Sequence, residues 1–484
     1  MMQNYDAYDA TGLAELIAKG DVSATELLNE ALARTAAMNP GLTAIVHIQT
    51  KVAQRLITED VSGPFTGVPF LMKDLGAEAV DFPTHSGSHL FADTVWGYDS
   101  AIYKRMRATG MIPFARTTSP EAGIGPVTEA AIYGAPTRNP WDLTRTSGGS
   151  SGGSGAAVAA GIVPMAHGSD GGGSVRIPAS SCGLFGFKAT RARFPDGPMT
   201  GEGWGGMAID GFLSRSVRDN AAMMDACAGS DLGAPYVAPM MDQTFMDAIA
   251  RPPKRLRIGV CDTTFTGKAI HPDCRDAVQA TARMLETLGH SVEPMLPKAD
   301  HTGMMHAWTK IVACGTALTL RTATRRLGRD LQQGDVQGVA RGAMSYAEQI
   351  SGADYLEAVN KIHAYGREMA VAMQNVDVLV STTLAEPPAV VGRFHHNRED
   401  YAEYRMGADG VFDYSPICAV FNASGQPAAS IPLHWSSAGL PIGVHLAASF
   451  GDDALLIALC AELETAMPWV NRKPPLLQAY LAGH

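Results

Sequence analysis

The residues with the clearest catalytic chemistry are serines set among glycines, and one lysine at the end of an apolar run. Residues 146–155 read Thr-Ser-Gly-Gly-Ser-Ser-Gly-Gly-Ser-Gly, and residues 170–174 read Asp-Gly-Gly-Gly-Ser. A serine hydroxyl becomes a good nucleophile only when a nearby base takes its proton, and a lysine can be that base only while its amine is neutral. Lys73 follows the apolar residues 68–72, which would carry its amine into the interior. The alternative interpretation is a lysine at a strand end that forms a salt bridge with Asp74 or another acid.

Three other motifs have weaker interpretations. Residues 148–152 match the G-x-S-x-G nucleophile elbow of α/β-hydrolases, which would make Ser150 the nucleophile. That elbow must interrupt a strand, however, and the preceding residues 139–145 are loop-like. Residues 201–206 satisfy the G-x-G-x-x-G pattern of dinucleotide-binding sites. The sequence predicts no strand before them and no helix after them, which argues against such a site. A flexible glycine-serine linker would not carry the alanine-rich helix and the apolar strand that residues 156–166 predict between the two glycine clusters.

Neither the cysteines nor the histidines indicate a metal or a cofactor. The seven cysteines are scattered and form no C-x-x-C pair, and the histidines lack the spacing of zinc ligands. We therefore expect no disulfide framework, no metal, no cofactor and a reducing, cytoplasmic location.

Composition and charge exclude several classes of protein. The chain has 484 residues, 46% hydrophobic and 18% charged, which is typical of an ordered globular protein. The formal net charge of −10 and the lack of a basic block argue against nucleic-acid binding. No secretory signal and no run of 18 apolar residues is visible, so we expect no membrane association.

The elements that must position these residues follow an α/β pattern. A capping box at Ser23 begins a helix that Asn39 and Pro40 are expected to end. From residue 65 onwards, apolar runs such as 68–72 and 111–115 alternate with helices. This alternation predicts a central, mixed but largely parallel twisted sheet covered by helices on both faces.

No repeat or clean linker divides the chain, so the sequence predicts a single large domain. Its expected parts are an N-terminal helical region over residues 1–64, a catalytic core over 65–230, and a remainder over 231–484. That remainder would complete the sheet, supply substrate-pocket loops and end in a C-terminal helix.

Three segments together closely resemble the amidase signature family: residues 67–74, 148–155 and 170–179. The resemblance covers nearly the whole chain and implies an α/β fold and a metal-independent Ser-cisSer-Lys triad. It assigns the nucleophile to Ser174, the bridging serine in a cis peptide to Ser150, and the base to Lys73. Ser151 is an alternative bridge, but Ser150 lies 24 residues before Ser174, as in the family.

The glycines before Ser174 suit the stabilisation of an oxyanion. A tetrahedral intermediate needs converging backbone N–H donors, and residues without Cβ let the main chain approach the substrate. We expect the oxyanion hole at Gly171, Gly172 and Gly173, with the amide of Ser174. In the family, the residues at the positions of Asp170 and Arg176 pair to brace this loop, and Ser151 is expected beside them.

The resemblance implies an amide hydrolase that forms a serine acyl-enzyme with a small-molecule amide. A homodimer is the candidate assembly. Within the family, the chain looks most like the branch of 6-aminohexanoate cyclic-dimer hydrolases and aryl acylamidases, and carbamates are further candidate substrates. One alternative is the amidase subunit of a tRNA-dependent amidotransferase, which liberates ammonia from glutamine. Another is a catalytically silent binding protein, against which the intact Lys73, Ser150 and Ser174 argue.

The predicted substrate pocket is apolar and should favour neutral amides over glutamine, because a charged substrate needs an opposite charge in its pocket. Cys314 is either a small buried residue or a weak polar contact to the substrate. The candidate substrate-binding residues are Trp204, Met207, Ile311, Cys314 and Phe412.

Overall fold

A computed structural model describes residues 4–59 and 61–483 of the chain. Its centre is an eleven-stranded sheet, and two further short strands form a separate hairpin. The strands are β1 Ile45–Val46, β2 Pro69–Lys73, β3 Ile112–Thr117, β4 Arg138–Asn139, β5 Asp142–Thr146, β6 Met165–Asp170, β7 Phe185–Lys188, β8 Ile209–Ser214, β9 Arg257–Val260, β10 Ser291–Pro294, β11 Val378–Thr382, β12 Ala428–Trp435 and β13 Pro441–Ala448.

Helices occupy most of the segments between the strands. They are α1 Ala10–Lys19, α2 Ala24–Leu42, α3 Thr50–Ile57, α4 Ala101–Ala108, α5 Gly152–Ala159, α6 Arg176–Cys182, α7 Val217–Cys227, α8 Phe245–Ile249, α9 Pro272–Thr287, α10 His301–Leu327, α11 Gly338–Ala347, α12 Gly352–Ala372, α13 Tyr401–Met406, α14 Val411–Tyr414, α15 Cys418–Ser424, α16 Asp453–Ala466 and α17 Pro475–Ala482. Among the described residues, no helix is both long and apolar enough to cross a lipid bilayer.

The strand order of the sheet is β1-β3-β2-β6-β8-β7-β12-β13-β11-β9-β10. The pairs β2–β3, β2–β6, β9–β10 and β9–β11 are parallel. The six other neighbouring pairs are antiparallel, so the sheet is more mixed than the alternation of strands and helices predicted. One reason is local: β12 and β13 follow each other through a short turn, and such a connection can join only antiparallel strands.

The helices cover both faces of the sheet, which confirms the predicted α/β class. Successive residues of a strand point to opposite faces. On β2, Phe70 and Met72 belong to one buried apolar cluster, whereas Leu71 belongs to another that includes residues of α2 and α5. On β11, Leu379 likewise faces a third cluster, which is rich in residues of α10 and α12.

The capping box of α2 is present, because Ser23 and Glu26 bond to each other's backbone amides. The prediction that Pro40 ends this helix is wrong, since α2 continues to Leu42. A proline so near the end removes little intrahelical hydrogen bonding, and the Thr43 amide still donates to the Asn39 carbonyl at 2.8 Å.

Two neighbouring parallel strands bring the predicted catalytic segments to one edge of the sheet. Lys73 is the last residue of β2 and Asp170 is the last residue of β6. Because parallel strands end at the same edge, the segments that follow β2 and β6 meet there. The loops that lead into α5 and α6 carry the serines to the same place.

Candidate active site

Lys73 is fully buried, and its amine contacts two serine hydroxyls. The Lys73 Nζ donates to the Ser150 Oγ at 2.6 Å and to the Ser169 Oγ at 2.9 Å. Burial lowers the pKa of Lys73 to about 7, although the Asp170 and Asp210 carboxylates act in the opposite direction. A large fraction of this amine is therefore neutral near neutral pH and able to accept a proton.

Ser150 faces Lys73, whereas Ser151 has a different set of contacts. The Gly149–Ser150 peptide bond is cis. The Ser151 hydroxyl lies 3.3 Å from the amide nitrogen and 3.4 Å from the carbonyl oxygen of Ser169, and the Ser151 amide donates to the Ser174 carbonyl at 3.1 Å. Ser151 thus joins three segments of backbone and does not touch the lysine amine.

Ser174 lies in the turn between β6 and α6 and lines the same cavity as Ser150 and Ser169. The hydrogen bonds found among residues 4–59 and 61–483 do not use its hydroxyl, so this group is open to a molecule in the cavity. Catalytic hydrogen bonds are often long without a substrate, so an unpaired hydroxyl is compatible with a nucleophilic serine.

The glycines before Ser174 pack tightly, and their amides are not equivalent. A Cβ at Gly171 would lie 2.5 Å from the Trp204 ring, and one at Gly172 would lie 2.7 Å from the Trp308 ring. The Gly173 amide already donates to the Asp170 carboxylate at 2.8 Å. Within the described residues, no hydrogen bond uses the amides of Gly171, Gly172 and Ser174, which leaves these three as candidate oxyanion donors.

A buried network braces this loop. The Arg176 guanidinium bonds both oxygens of the Asp170 carboxylate, at 2.8 and 3.0 Å, and both side chains are fully buried. The Arg176 guanidinium also donates to the Asn422 Oδ1 at 2.7 Å and lies 2.9 Å from the His445 Nε2. Burial disfavours the charge on Asp170, but Arg176 outweighs it and holds the pKa of Asp170 well below its usual range.

The cavity has a volume of about 550 Å³ and a largely apolar, aromatic wall. Besides the three serines, it is lined by Leu75, Gly76, Glu78, Thr84, Ser86, Phe91, Thr94, Trp96, Tyr98, Ala122, Gly123, Gly171, Thr200, Gly203, Trp204, Ala208, Leu318, Thr319, Thr322, Ala323 and Arg326. Residues 75–98 and the C-terminal part of α10 supply most of this wall.

Of the five substrate-binding residues predicted from sequence, the structure brings only Trp204 to the cavity wall. Met207, Ile311 and Phe412 are buried in the apolar cluster beneath it, and Cys314 is partly exposed on α10. Ring packing connects this cluster to the cavity wall: the Trp204 and Trp308 centroids are 6.0 Å apart, and the Trp308 and Phe412 centroids are 5.4 Å apart.

Sequence reasoning missed four residues of the site and its surroundings: Ser169, Glu78, Asn422 and His445. Ser169 adjoins Asp170 at the end of β6, so its position at the same sheet edge was a usable signal. Asn422 and His445 come from distant parts of the chain and carry no local motif.

Three possible metal ligands lie behind the site, although the histidine spacing had suggested none. Donor atoms of His47, Asp74 and His85 lie within 4.8 Å of one another. The two Asp74 oxygens, however, already accept hydrogen bonds from the His85 amide and the Tyr133 hydroxyl. We therefore interpret these residues as a hydrogen-bonded cluster, and the absence of a metal stays a prediction.

Comparisons with known proteins all point to one protein family. A family model described as amidase matches residues 26–457. A 6-aminohexanoate-cyclic-dimer hydrolase from Paenarthrobacter ureafaciens is 36% identical over 478 residues, which are 97% of each chain.

Two solved structures resemble the molecule over almost its full length. A 6-aminohexanoate cyclic dimer hydrolase complexed with substrate has a TM-score of 0.92 and 35% identity, and the match covers 98% of this chain and 99% of the other. A bacterial aryl acylamidase of the amidase signature family has a TM-score of 0.86 and 27% identity, with 96% of each chain covered.

Proposed function

We propose that this chain, which belongs to the amidase family and is an amide hydrolase, cleaves small-molecule amides through an acyl-enzyme formed on Ser174. The observation that carries this proposal is the 2.6 Å contact between the buried Lys73 amine and the Ser150 hydroxyl, in a cavity that Ser174 also lines. A base, a relay hydroxyl and an open nucleophile are the parts that acyl transfer needs.

In the first half of the reaction, the Ser174 Oγ attacks the carbonyl carbon of the amide. Its proton passes to the Ser150 Oγ while Ser150 gives its own proton to the neutral Lys73 amine. The carbonyl oxygen becomes an oxyanion, for which the amides of Gly171, Gly172 and Ser174 are the proposed donors.

The tetrahedral intermediate then collapses. The carbon–nitrogen bond breaks, and the leaving nitrogen receives the proton that returns from Lys73 through Ser150. Water attacks the resulting ester, with the same base taking the proton, and releases the acid and free Ser174. No step of this proposal needs a metal ion.

The proposed substrates are amides whose scissile bond is flanked by aliphatic or aryl groups. The aromatic wall formed by Phe91, Trp96, Tyr98 and Trp204 supports this choice, because apolar surface favours apolar neighbours of the reacting bond. The names of the relatives, a cyclic-dimer hydrolase of 6-aminohexanoate and an aryl acylamidase, support the same chemistry.

The test is a comparison of kcat/KM on anilides, aliphatic amides, carbamates and glutamine. We expect Ser174→Ala to lose at least about 10⁴-fold on the best substrate, because it deletes the nucleophile. Ser86→Ala removes another cavity hydroxyl and should stay within about threefold of the unmodified protein, since a substitution outside the reacting groups has little effect.

Residual activity of Ser174→Ala above about a tenth would rule Ser174 out as the nucleophile. For glutamine, we expect a kcat/KM at least about a hundredfold below that for the best anilide, or nearly 3 kcal/mol. Comparable efficiency on glutamine would favour the amidotransferase subunit instead.

A further inference from the structure

The cavity contains an acidic side chain to which the proposed mechanism gives no role. Glu78 lies in the loop between β2 and α4, is partly buried, and lines the cavity together with Ser174. Its carboxylate forms no ion pair with any lysine, arginine or histidine among residues 4–59 and 61–483. The carboxylate accepts a hydrogen bond from its own backbone amide. A carboxylate with reduced access to water and no ion pair is still poorly compensated, and a bound cation would compensate it.

Arg116 is a buried cation that acts on Glu78 without forming an ion pair with it. Arg116 acts on Glu78 electrostatically, but its guanidinium hydrogen bonds go to backbone carbonyls, including those of Gly76 and Ala77. Burial raises the pKa of Glu78, and the neighbouring Asp210 carboxylate adds to this effect. The electrostatic surroundings of Glu78 therefore favour an additional positive group.

Two aromatic side chains belong to the same cavity wall as Glu78. Trp96 and Tyr98 line the cavity and contact each other edge to face, with 5.8 Å between their centroids. Burial raises the pKa of Tyr98, and the Glu78 charge contributes, so the phenol lies within the field of this carboxylate. A carboxylate near aromatic rings is a favourable surrounding for an ammonium group, which both the charge and the π-systems attract.

The other charged residue of the cavity wall is Arg326. Because of its position, its charge affects a ligand in the cavity less than the charge of Glu78 does. Arg326 is exposed, and its guanidinium donates to the Thr94 hydroxyl at 2.8 Å. Solvent and salt screen an exposed charge much more than a partly buried one. The part of the cavity around Glu78 therefore favours a cation over an anion.

We propose that Glu78, with the rings of Trp96 and Tyr98, forms a subsite for a protonated primary amine at one end of the amide substrate. The subsite rests on the proposed function, because the cavity must hold the substrate of Ser174. It adds a specificity that the predicted apolar pocket lacked: an amide with a distal ammonium group is preferred over its uncharged counterpart.

Three 4-nitroanilides of equal chain length test the subsite. The 6-aminohexanoyl anilide ends in an ammonium group, the heptanoyl anilide in a methyl group, and the pimelic acid monoanilide in a carboxylate. We expect the full-length protein to show a kcat/KM about tenfold higher for the ammonium substrate than for the methyl one, and the lowest value for the carboxylate. Glu78→Gln should remove this tenfold preference and change the rate on heptanoyl anilide by less than about twofold.

Asp93→Asn is the matched control, because Asp93 is exposed on the same segment and does not line the cavity. It removes the same charge and should leave the ammonium preference intact. Loss of the preference in Asp93→Asn, an equal effect of Glu78→Gln on all three anilides, or no preference in the unmodified protein would overturn the subsite.

Binding to Ser174→Ala, measured by calorimetry with the same three anilides, separates the subsite from the catalytic proposal. Tighter binding of the ammonium anilide, abolished in the Ser174→Ala/Glu78→Gln double variant, supports the subsite whatever the turnover. Equal affinity for the ammonium and methyl anilides overturns it. Failure of the unmodified protein to hydrolyse any anilide, with the binding preference retained, would count against the proposed function alone.

Discussion

Two buried lysines of this molecule share a pKa but not their surroundings. Burial lowers the pKa of both Lys73 and Lys188 to about 7, and both side chains are almost completely removed from solvent. The Lys73 amine contacts two serine hydroxyls at the cavity, whereas the Lys188 amine donates to the neighbouring Ala189 carbonyl at 2.9 Å. Lys188 does not line the cavity.

The comparison separates two requirements of a general base. Desolvation lowers the pKa of the amine so that its neutral form is populated near neutral pH, and both lysines meet that requirement. A hydroxyl within hydrogen-bond distance supplies the proton to be accepted, and only Lys73 has such a neighbour among the described residues. A lowered pKa therefore indicates a possible base, and the contact with Ser150 distinguishes the proposed one.

Within this comparison of the two lysines, the largest effect is expected from replacing each by methionine, which has a similar length and no charge. Lys73→Met should lower kcat/KM on a neutral anilide by about 10² to 10⁴-fold, because it removes a general base. Lys188→Met should stay within about threefold, since Lys188 does not line the cavity and, among the described residues, its amine hydrogen-bonds a backbone carbonyl. Steady-state kinetics would measure the loss in kcat/KM for both variants, after circular dichroism has shown that they fold. Equal losses would mean that the two lysines do not differ in function.

A smaller difference in activity loss is expected between variants of the two adjacent serines, Ser150 and Ser151. Ser150→Ala removes the hydroxyl next to Lys73 and should cost about 10² to 10³-fold in kcat. Ser151→Ala removes only a contact with the Ser169 backbone, so a loss of about tenfold or less is expected. Single-turnover measurements on an anilide compare the two directly. A larger loss in Ser151→Ala would move the proton relay from Ser150 to Ser151.

The pH profile gives the smallest and most specific effect. Because the pKa of Lys73 is about 7, its amine is protonated below that pH and cannot accept the Ser174 proton. Thus kcat/KM should rise with pH through an apparent pKa of about 7. Asp210→Asn removes a carboxylate that raises the pKa of Lys73, so it should shift the rise to lower pH.

The matched control for the profile is Lys188→Met, which should leave the position of the rise unchanged. A profile without a rise between about pH 5 and 9, or one displaced by Lys188→Met and not by Asp210→Asn, would contradict the assignment of the base to Lys73.

Much of the fold and of the central site could be predicted from local sequence. The alternation of apolar runs and helices predicted the α/β class, and the structure confirms it. The resemblance of three segments to the amidase signature predicted the family, which the comparisons confirm. The resemblance to the family also implied that Asp170 and Arg176 pair, and their side chains form a hydrogen-bonded ion pair.

The predicted pocket shows where local sequence is insufficient. Met207, Ile311 and Phe412 have the apolar side chains expected of a pocket wall, yet they pack into a core cluster. Glu78, which has no local motif, lines the cavity instead. A side chain's apolar character predicts burial, but the packing of whole helices decides whether it is buried against protein or against a cavity.

The sequence by itself determined the types of the elements and the chemical groups that could act: serine hydroxyls, glycine amides and a lysine after an apolar run. The family resemblance implied that Lys73 and Ser150 act together, but only the tertiary structure decided the 2.6 Å contact between them, since they are 77 residues apart. It also decided that Glu78, which forms no ion pair with another described residue, lines the cavity together with Trp96 and Tyr98. The physical reason is that desolvation and electrostatic fields depend on all neighbouring atoms, and those atoms come from strands and loops that are distant in the chain.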